Sequence, residues 1–105
     1  FSGVVEEVDE GDLIAEALGD KKVIILQNHG ILTTGPSVDI ALWFYTSMER
    51  CCQAQLMADA AGEIQLIPHD TAIKTRSFIE NDVAAWASFQ PAFDMICKKE
   101  PDLFD

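Results

Sequence analysis

The 105-residue chain has few basic side chains: 7 Lys and Arg stand against 18 Asp and Glu, which gives a formal net charge of −11 at pH 7. Nucleic acids and anionic lipid surfaces bind proteins through clusters of Lys and Arg. The charge balance therefore excludes nucleic acid and the membrane surface as primary partners. The acidic run near the start of the chain lacks calcium-loop spacing, and we interpret it as a solvated face.

Cysteine and long apolar runs are also scarce. The three cysteines include the adjacent pair Cys51 and Cys52, which fits neither a Cys-x-x-Cys zinc pattern nor a disulfide framework, and we interpret the pair as core or interface packing. No apolar run approaches the roughly 20 residues that span a bilayer, and no secretory signal pattern is present. We therefore expect a protein of the reducing cytoplasm. Because the chain opens on Phe1 and not on Met, we expect it to be a portion of a longer protein, with a processed chain as the alternative.

The most informative local pattern is the tripeptide Asn28-His29-Gly30, which follows the apolar run 23–26 after a single residue, Gln27. Four branched apolar residues between charged residues and a polar turn predict a strand buried on both faces. A residue without a Cβ lets the backbone turn sharply and lets a ligand approach closely, so we expect the turn to require Gly30. His29 is thus predicted at the end of a buried strand, where a site can form.

A second strand and two helices are predicted around this tripeptide. The second strand covers 31–34 and ends at a Gly-Pro breaker pair. A short helix over 13–18 ends at Gly19, and a long helix begins at its N-cap Ser37 and ends at Gly62. The first half of the long helix is apolar almost all round. This pattern predicts that a subunit contact covers the helix and that the protein is a homo-oligomer.

The last third of the chain is predicted to be helical. Asp70 is expected to cap a helix that runs to about residue 80, and a final helical stretch over 83–97 contains Pro91, where we expect a kink or a restart. The order is therefore a helix, a strand pair and then further helices within one domain. It predicts an α/β or α+β class with too few strands to complete a sheet.

Four segments resemble the class II aldolase/adducin superfamily. The first is the decapeptide at 26–35 (LQNHGILTTG). The other three look like the C-terminal part of fungal members: the tripeptide at 37–39, the helical segment at 48–56 that contains Glu49, Arg50 and Gln53, and the stretch at 86–105. The resemblance covers nearly the whole chain. It implies an α/β fold, namely part of a three-layer αβα class II aldolase-like domain, of which residues 1–105 form the C-terminal portion.

The resemblance also implies a chemistry. Enzymes of that superfamily cleave, epimerise or dehydrate small sugar phosphates, and a zinc ion held by three histidines polarises the substrate carbonyl. His29 is implied as the third zinc ligand, while the other two come from a His-x-His pair that this chain does not contain. A catalytic zinc normally needs three protein ligands, so we expect the chain alone to be inactive as a lyase.

Simpler interpretations of the same residues stay open. His29 can be a histidine whose ring is satisfied by a backbone carbonyl, and His69 is expected on the surface. Glu49 and Arg50 are adjacent and do not face each other on a helix, so we expect them to serve structural ion pairs with other elements rather than catalysis. The adducin branch keeps the fold without the chemistry, which leaves a non-catalytic oligomerising interaction module as the alternative function.

Overall fold

The computed structural model describes residues 8–105 of the chain. The elements follow in the order α1 Val8–Leu18, β1 Val23–Leu26, β2 Gly30–Thr33, α2 Val38–Ala61, α3 His69–Ile79, α4 Asp82–Lys99 and a 3-10 turn at Pro101–Phe104. The predicted order of a helix, a strand pair and further helices is confirmed. None of the helices in this part of the chain is long and apolar enough to cross a membrane.

The two strands form an antiparallel hairpin in which Leu26 pairs with Gly30. The His29 N–H donates to the Leu26 carbonyl at 3.0 Å, and Asn28 adopts the left-handed conformation with φ of 59°. A positive φ at the second central residue of such a turn suits Gly or Asn. The expectation that the turn requires Gly30 is therefore wrong, because Asn28 supplies the left-handed residue and Gly30 is the first residue of β2.

Most of the helix ends lie where local chemistry predicts them. Gly19 follows α1 with φ of 54°, and its N–H donates to the Ala15 carbonyl at 2.9 Å. The Ser37 hydroxyl accepts from the Ile40 N–H at 3.4 Å as the N-cap of α2, and Gly62 follows the end of that helix. These interactions satisfy backbone groups that helix ends leave without intrahelical partners.

One prediction about the later helices needs correction, and another is narrowed. The helix α3 begins at His69, with Pro68 as its N-cap residue, so Asp70 lies in the first turn and does not cap the helix. The helix α4 continues through Pro91 without a restart, so the alternative, a kink at Pro91, stays a prediction. Proline removes one backbone donor there, but the turns on both sides remain helical.

The helices α1 and α2 lie on opposite faces of the hairpin. Val23 packs against the small core that Ile40, Phe44 and Ala85 form between α2 and α4. Neighbouring strand residues point to opposite faces. On the face away from that core, Ile24 lines a cavity together with residues of α1, and Ile25 and Leu26 at the end of β1 border the same cavity. The arrangement is the predicted part of a three-layer αβα fold.

Polar contacts fix α2 against its neighbours. The Thr33 hydroxyl donates to the Ala41 carbonyl at 2.9 Å, which ties the end of β2 to the first turns of α2. The Gln90 amide of α4 donates to the Asp39 carboxylate at 3.4 Å. The N-terminal half of α2 is therefore held by both the hairpin and α4.

The predicted burial of β1 on both faces is wrong for this chain. Ile25 lies on the same face as Val23 but is 59 % exposed. Where α2 meets the hairpin it packs more against β2 than against β1, and the hairpin has no third strand among the described residues, so Ile25 stays largely uncovered there.

Candidate functional site

The hairpin turn opens on a cleft of about 620 Å³ between the strands and α2. His29 and Asn28 stand at the turn, and the exposed side chain of His29 lines the cleft. The other lining residues come from the hairpin (Ile25, Leu26, Gly30 and Ile31) and from α2 (Glu49, Cys52, Gln53 and Leu56). The volume lies within the range of small-molecule sites.

The α2 wall of the cleft is one face of the helix. Glu49, Gln53 and Leu56 are spaced by four and three residues, and residues at this spacing lie above one another on a helix. Arg50 is one position further along and does not line the cleft. The structure therefore brings a carboxylate and an amide into the same space as the predicted histidine.

Sequence reasoning undervalued Glu49 and did not single out Gln53 as a site residue. The ion pairs among the described residues are Lys21–Asp20 and Arg76–Glu80, so the expected structural ion pairs of Glu49 and Arg50 are not found there. The sequence alone indicates that Glu49 and Gln53 share a helix face, because an acid and an amide four residues apart on a helix lie above one another. Only the fold shows that this face meets the His29 turn.

The other residues considered from the sequence, His69 and the cysteines, lie outside the cleft or form part of its wall. His69 is exposed at the first residue of α3, as predicted, and it does not line the cleft. Cys51 is exposed rather than buried in a core, whereas Cys52 is half-buried in the cleft wall. Both thiols and that of Cys97 are free.

Shifted pKa values occur outside the cleft. A hydrogen bond from Lys21, together with its positive charge, lowers the pKa of Asp20. The hydrogen bond and charge of Glu80 raise the pKa of Arg76 in the same way. These pairs are exposed and belong to the surface, so they give no reason to move the candidate site away from His29.

A complete zinc site does not fit the residues of this cleft. Across residues 8–105, no three His, Cys, Asp or Glu side chains come together in a way that could hold a metal ion. A catalytic zinc normally has three protein ligands, and the cleft offers one imidazole. The cleft lining supplies the His29 imidazole, the Glu49 carboxylate, the Cys52 thiol and two amides, Asn28 and Gln53.

Comparison with known proteins gives consistent matches. The family described as Class II Aldolase and Adducin N-terminal domain matches residues 3–56. Decarboxylase NovR of Streptomyces niveus is 39 % identical over 98 % of this chain and 38 % of its own length. The 4-hydroxy-3-prenylphenylpyruvate oxygenase/4-hydroxy-3-prenylbenzoate synthase of Streptomyces roseochromogenus subsp. oscitans is 38 % identical over 98 % of this chain and 37 % of its own length.

A solved structure shares the arrangement of the elements. L-fuculose 1-phosphate aldolase from Glaciozyma antarctica PI12 superposes with a TM-score of 0.83 at 38 % identity. The match covers 91 % of this chain but 39 % of that aldolase. The chain thus spans well under half the length of these relatives.

Proposed function

The chain belongs to the class II aldolase and adducin family, and from that premise we propose that it supplies one wall of the active site of a zinc-dependent lyase. The observation that carries the proposal is the position of His29 at the hairpin turn, in a cleft that Glu49 and Gln53 also line. Loops and turns held by rigid elements are common places for catalytic groups.

The proposed reaction is cleavage of a carbon–carbon bond beside a carbonyl group. Aldolases and decarboxylases both perform such a cleavage, and both words occur in the names of the relatives. We propose a small sugar phosphate as the substrate class, with Glu49 and Gln53 as hydrogen-bonding partners of its hydroxyl groups. The cleft wall described above has no Lys or Arg, so groups that hold the phosphate must come from outside it.

The proposed role of His29 is that of one zinc ligand in a site completed by other residues. The chain has two histidines in all, and His69 does not line the cleft. A three-histidine site therefore needs ligands from outside this chain. We expect the chain alone to bind zinc weakly and to have no lyase activity. The free thiols fit the proposed cytoplasmic location.

Zinc titration by calorimetry tests this proposal. The proteins are the chain and a chimera in which it replaces the matching 39 % of L-fuculose 1-phosphate aldolase. We expect tight binding and aldolase activity in the chimera only. His29→Ala should weaken zinc binding there by at least about a hundredfold and abolish activity, because it removes one of three ligands.

The other histidine of the chain provides the matched control. His69→Ala should leave both zinc affinity and activity of the chimera unchanged, because His69 lies outside the cleft. Tight one-to-one binding by the chain alone would contradict the proposed incomplete site. Equal zinc affinity of the chimera with and without His29 would contradict the proposed role of that residue.

The second candidate is a non-catalytic, adducin-like oligomerising module. The large apolar surface favours it: Leu56, Leu66 and Phe78 are all at least 70 % exposed. Large contiguous apolar patches on a protein surface mark sites of association. A chimera that folds and assembles but does not bind zinc would support this candidate over the lyase.

A further inference from the structure

We propose that Asn28 contacts the substrate, and that its side-chain amide donates a hydrogen bond to a carbonyl or hydroxyl oxygen of the bound molecule. Asn28 lines the same cleft as His29, Glu49 and Gln53. The inference rests on the proposed function, because it adds a substrate-contacting residue to that cleft. It gives Asn28 a second role beside the one that its backbone has in the turn before His29.

The backbone conformation of Asn28 does not require its side chain. Its φ of 59° lies in the left-handed region, and within residues 8–105 it is the one non-glycine residue with a positive φ. The other two such positions in that range are Gly19 and Gly62. Glycine adopts the left-handed conformation without steric cost, so the turn by itself favours glycine at least as strongly as asparagine. Non-glycine residues in this region cluster at active sites and ligand contacts, which makes the Asn28 side chain a candidate for such a contact.

The fold makes no use of the Asn28 amide. Backbone groups close the turn, because the His29 N–H donates to the Leu26 carbonyl at 3.0 Å and Leu26 pairs with Gly30. Asn28 is exposed, and its side chain forms no hydrogen bond with any residue in the part of the chain that the structure describes. An asparagine in the left-handed region often forms a local hydrogen bond. Here the two N–H donors and the carbonyl acceptor of the amide remain available to a ligand.

The amide supplies a hydrogen bond that the carboxylate in the cleft cannot supply. An ionised carboxylate such as that of Glu49 only accepts, so it binds substrate hydroxyl groups but not a carbonyl oxygen, whereas an amide N–H donates to either. The Cα atoms of consecutive residues are about 3.8 Å apart, and Asn28 and His29 both line the cleft. A substrate oxygen that reaches the imidazole therefore also comes near the Asn28 amide.

The charge of the cleft indicates which part of the substrate enters it. The lining contains no Lys or Arg, while Asn28, Glu49 and Gln53 supply two amides and one carboxylate. Such groups bind uncharged oxygen atoms well and offer no positive charge to a phosphate. We therefore assign this cleft to the uncharged end of the sugar phosphate, which carries the carbonyl and hydroxyl oxygens.

Two variants of the chimera described above test the contact, with L-fuculose 1-phosphate as the substrate. Asn28→Gly keeps the turn and removes the amide, whereas Asn28→Asp keeps the acceptor and removes both N–H donors. We expect each variant to lower kcat/KM at least about tenfold, because a hydrogen bond to the substrate is lost. In Asn28→Gly, zinc affinity and the urea midpoint should stay at their wild-type values, because the turn and His29 are unchanged.

Gln27 provides the matched control, because it carries the same amide group in the same turn. It lines the cavity between β1 and α1 and not the cleft of His29. Gln27→Ala should therefore leave kcat/KM of the chimera unchanged. An equal loss of kcat/KM in Gln27→Ala and Asn28→Gly would overturn the inference, since the loss would then come from the turn as a whole.

The inference and the proposed function fail in different ways. Activity that falls with His29→Ala but not with Asn28→Gly overturns the inference alone. A loss of zinc affinity in Asn28→Gly as large as its loss of activity also overturns the inference, because Asn28 would then act by holding His29 in place. Zinc affinity and activity that do not change with His29→Ala contradict the proposed function, whatever Asn28→Gly does.

Binding measurements decide the role of Asn28 if the chimera is inactive. For a folded chimera, calorimetric titration with L-fuculose 1-phosphate replaces the kinetics. Binding that is at least about tenfold weaker in Asn28→Gly supports the inference, and binding that is equal or absent in both proteins overturns it. If the chimera does not fold, the side-chain amide signals of the chain are followed by NMR with the same ligand. A shift of the Asn28 signal without a shift of the Gln27 signal supports the inference, and any other result overturns it.

Discussion

Asn28 determines the geometry of the His29 turn. Its φ of 59° is a conformation that most side chains disfavour, whereas Asn and Gly adopt it at lower cost. Sequence reasoning assigned the conformational role to Gly30 because glycine is the usual left-handed residue. Adding a Cβ at Gly30 would bring it within 4 Å of no described atom. The identity of the turn could be predicted from residues 28–30, but the position of its left-handed residue depended on the strand register.

Substitutions at the turn should separate these two positions. We expect Asn28→Ala to lower the free energy of unfolding by about 1 kcal/mol, because the left-handed conformation is less favourable for alanine than for asparagine. Asn28→Gly and the control Gly30→Ala should each stay within about 0.5 kcal/mol of wild type. Urea denaturation provides the measurement. A larger loss for Gly30→Ala than for Asn28→Ala would contradict this account of the turn.

Gly35 is a glycine at which the packing leaves little room for a side chain. A Cβ there would lie 3.0 Å from both the Ile40 Cγ2 and the Ala41 backbone nitrogen. Gly35→Ala should therefore cost about 1–3 kcal/mol by overpacking. The same urea series checks this value, with Gly30→Ala again as the open-space control. A neutral Gly35→Ala would show that the start of α2 can move away from the hairpin at little cost.

At the scale of elements, features that depend on nearby residues were predictable. The caps at Ser37 and Gly19 and the end of α2 at Gly62 each follow from chemistry within a few positions. The cleft was only partly predictable. His29 could be placed at a turn, but whether Glu49 and Gln53 line the same cleft as His29 depends on how α2 lies across the hairpin. Tertiary packing of that kind leaves no local signal.

The packing of α2 against α4 depends on a very small hydrophobic core. Phe44 is 6 % exposed and is the largest of the three buried side chains among residues 8–105. Phe44→Ala should cost about 3–5 kcal/mol, because the cavity sits where both helices and Val23 meet. Phe78→Ala, at a side chain that is 77 % exposed, should cost less than about 0.5 kcal/mol. Circular dichroism melts of both variants check the contrast, and similar melting of the two would contradict the proposed core.

At the scale of the whole molecule, the chain exposes more surface than its size predicts. Its radius of gyration is 16.6 Å, compared with about 13 Å for a compact chain of this length. Its accessible surface is 8487 Å², compared with about 5,800 Å² for a typical monomer of 11.6 kDa. The burial of β1 could not be predicted correctly because it depends on what covers this surface, and the 105 residues do not specify that.

The isolated chain should therefore self-associate. The excess surface is larger than the roughly 800 Å² that each partner buries in a standard interface. Leu42 and Tyr45 are 41 % and 42 % exposed and lie three residues apart on the N-terminal half of α2, where a subunit contact was predicted from the sequence. Leu42→Glu should weaken association at least about tenfold, because the contact would bury a charge.

Sedimentation equilibrium at about 30 µM, a concentration at which interfaces of this size commonly assemble, measures the effect. Thr75→Glu adds the same charge at an exposed polar position of α3 and should leave association unchanged. Because the predicted contact uses the N-terminal half of α2, Cys51 and Cys52 should stay reactive in the associated chain. A monomer at every concentration, with a cooperative melt, would contradict self-association and would show that the exposed apolar faces are stable in water without a partner.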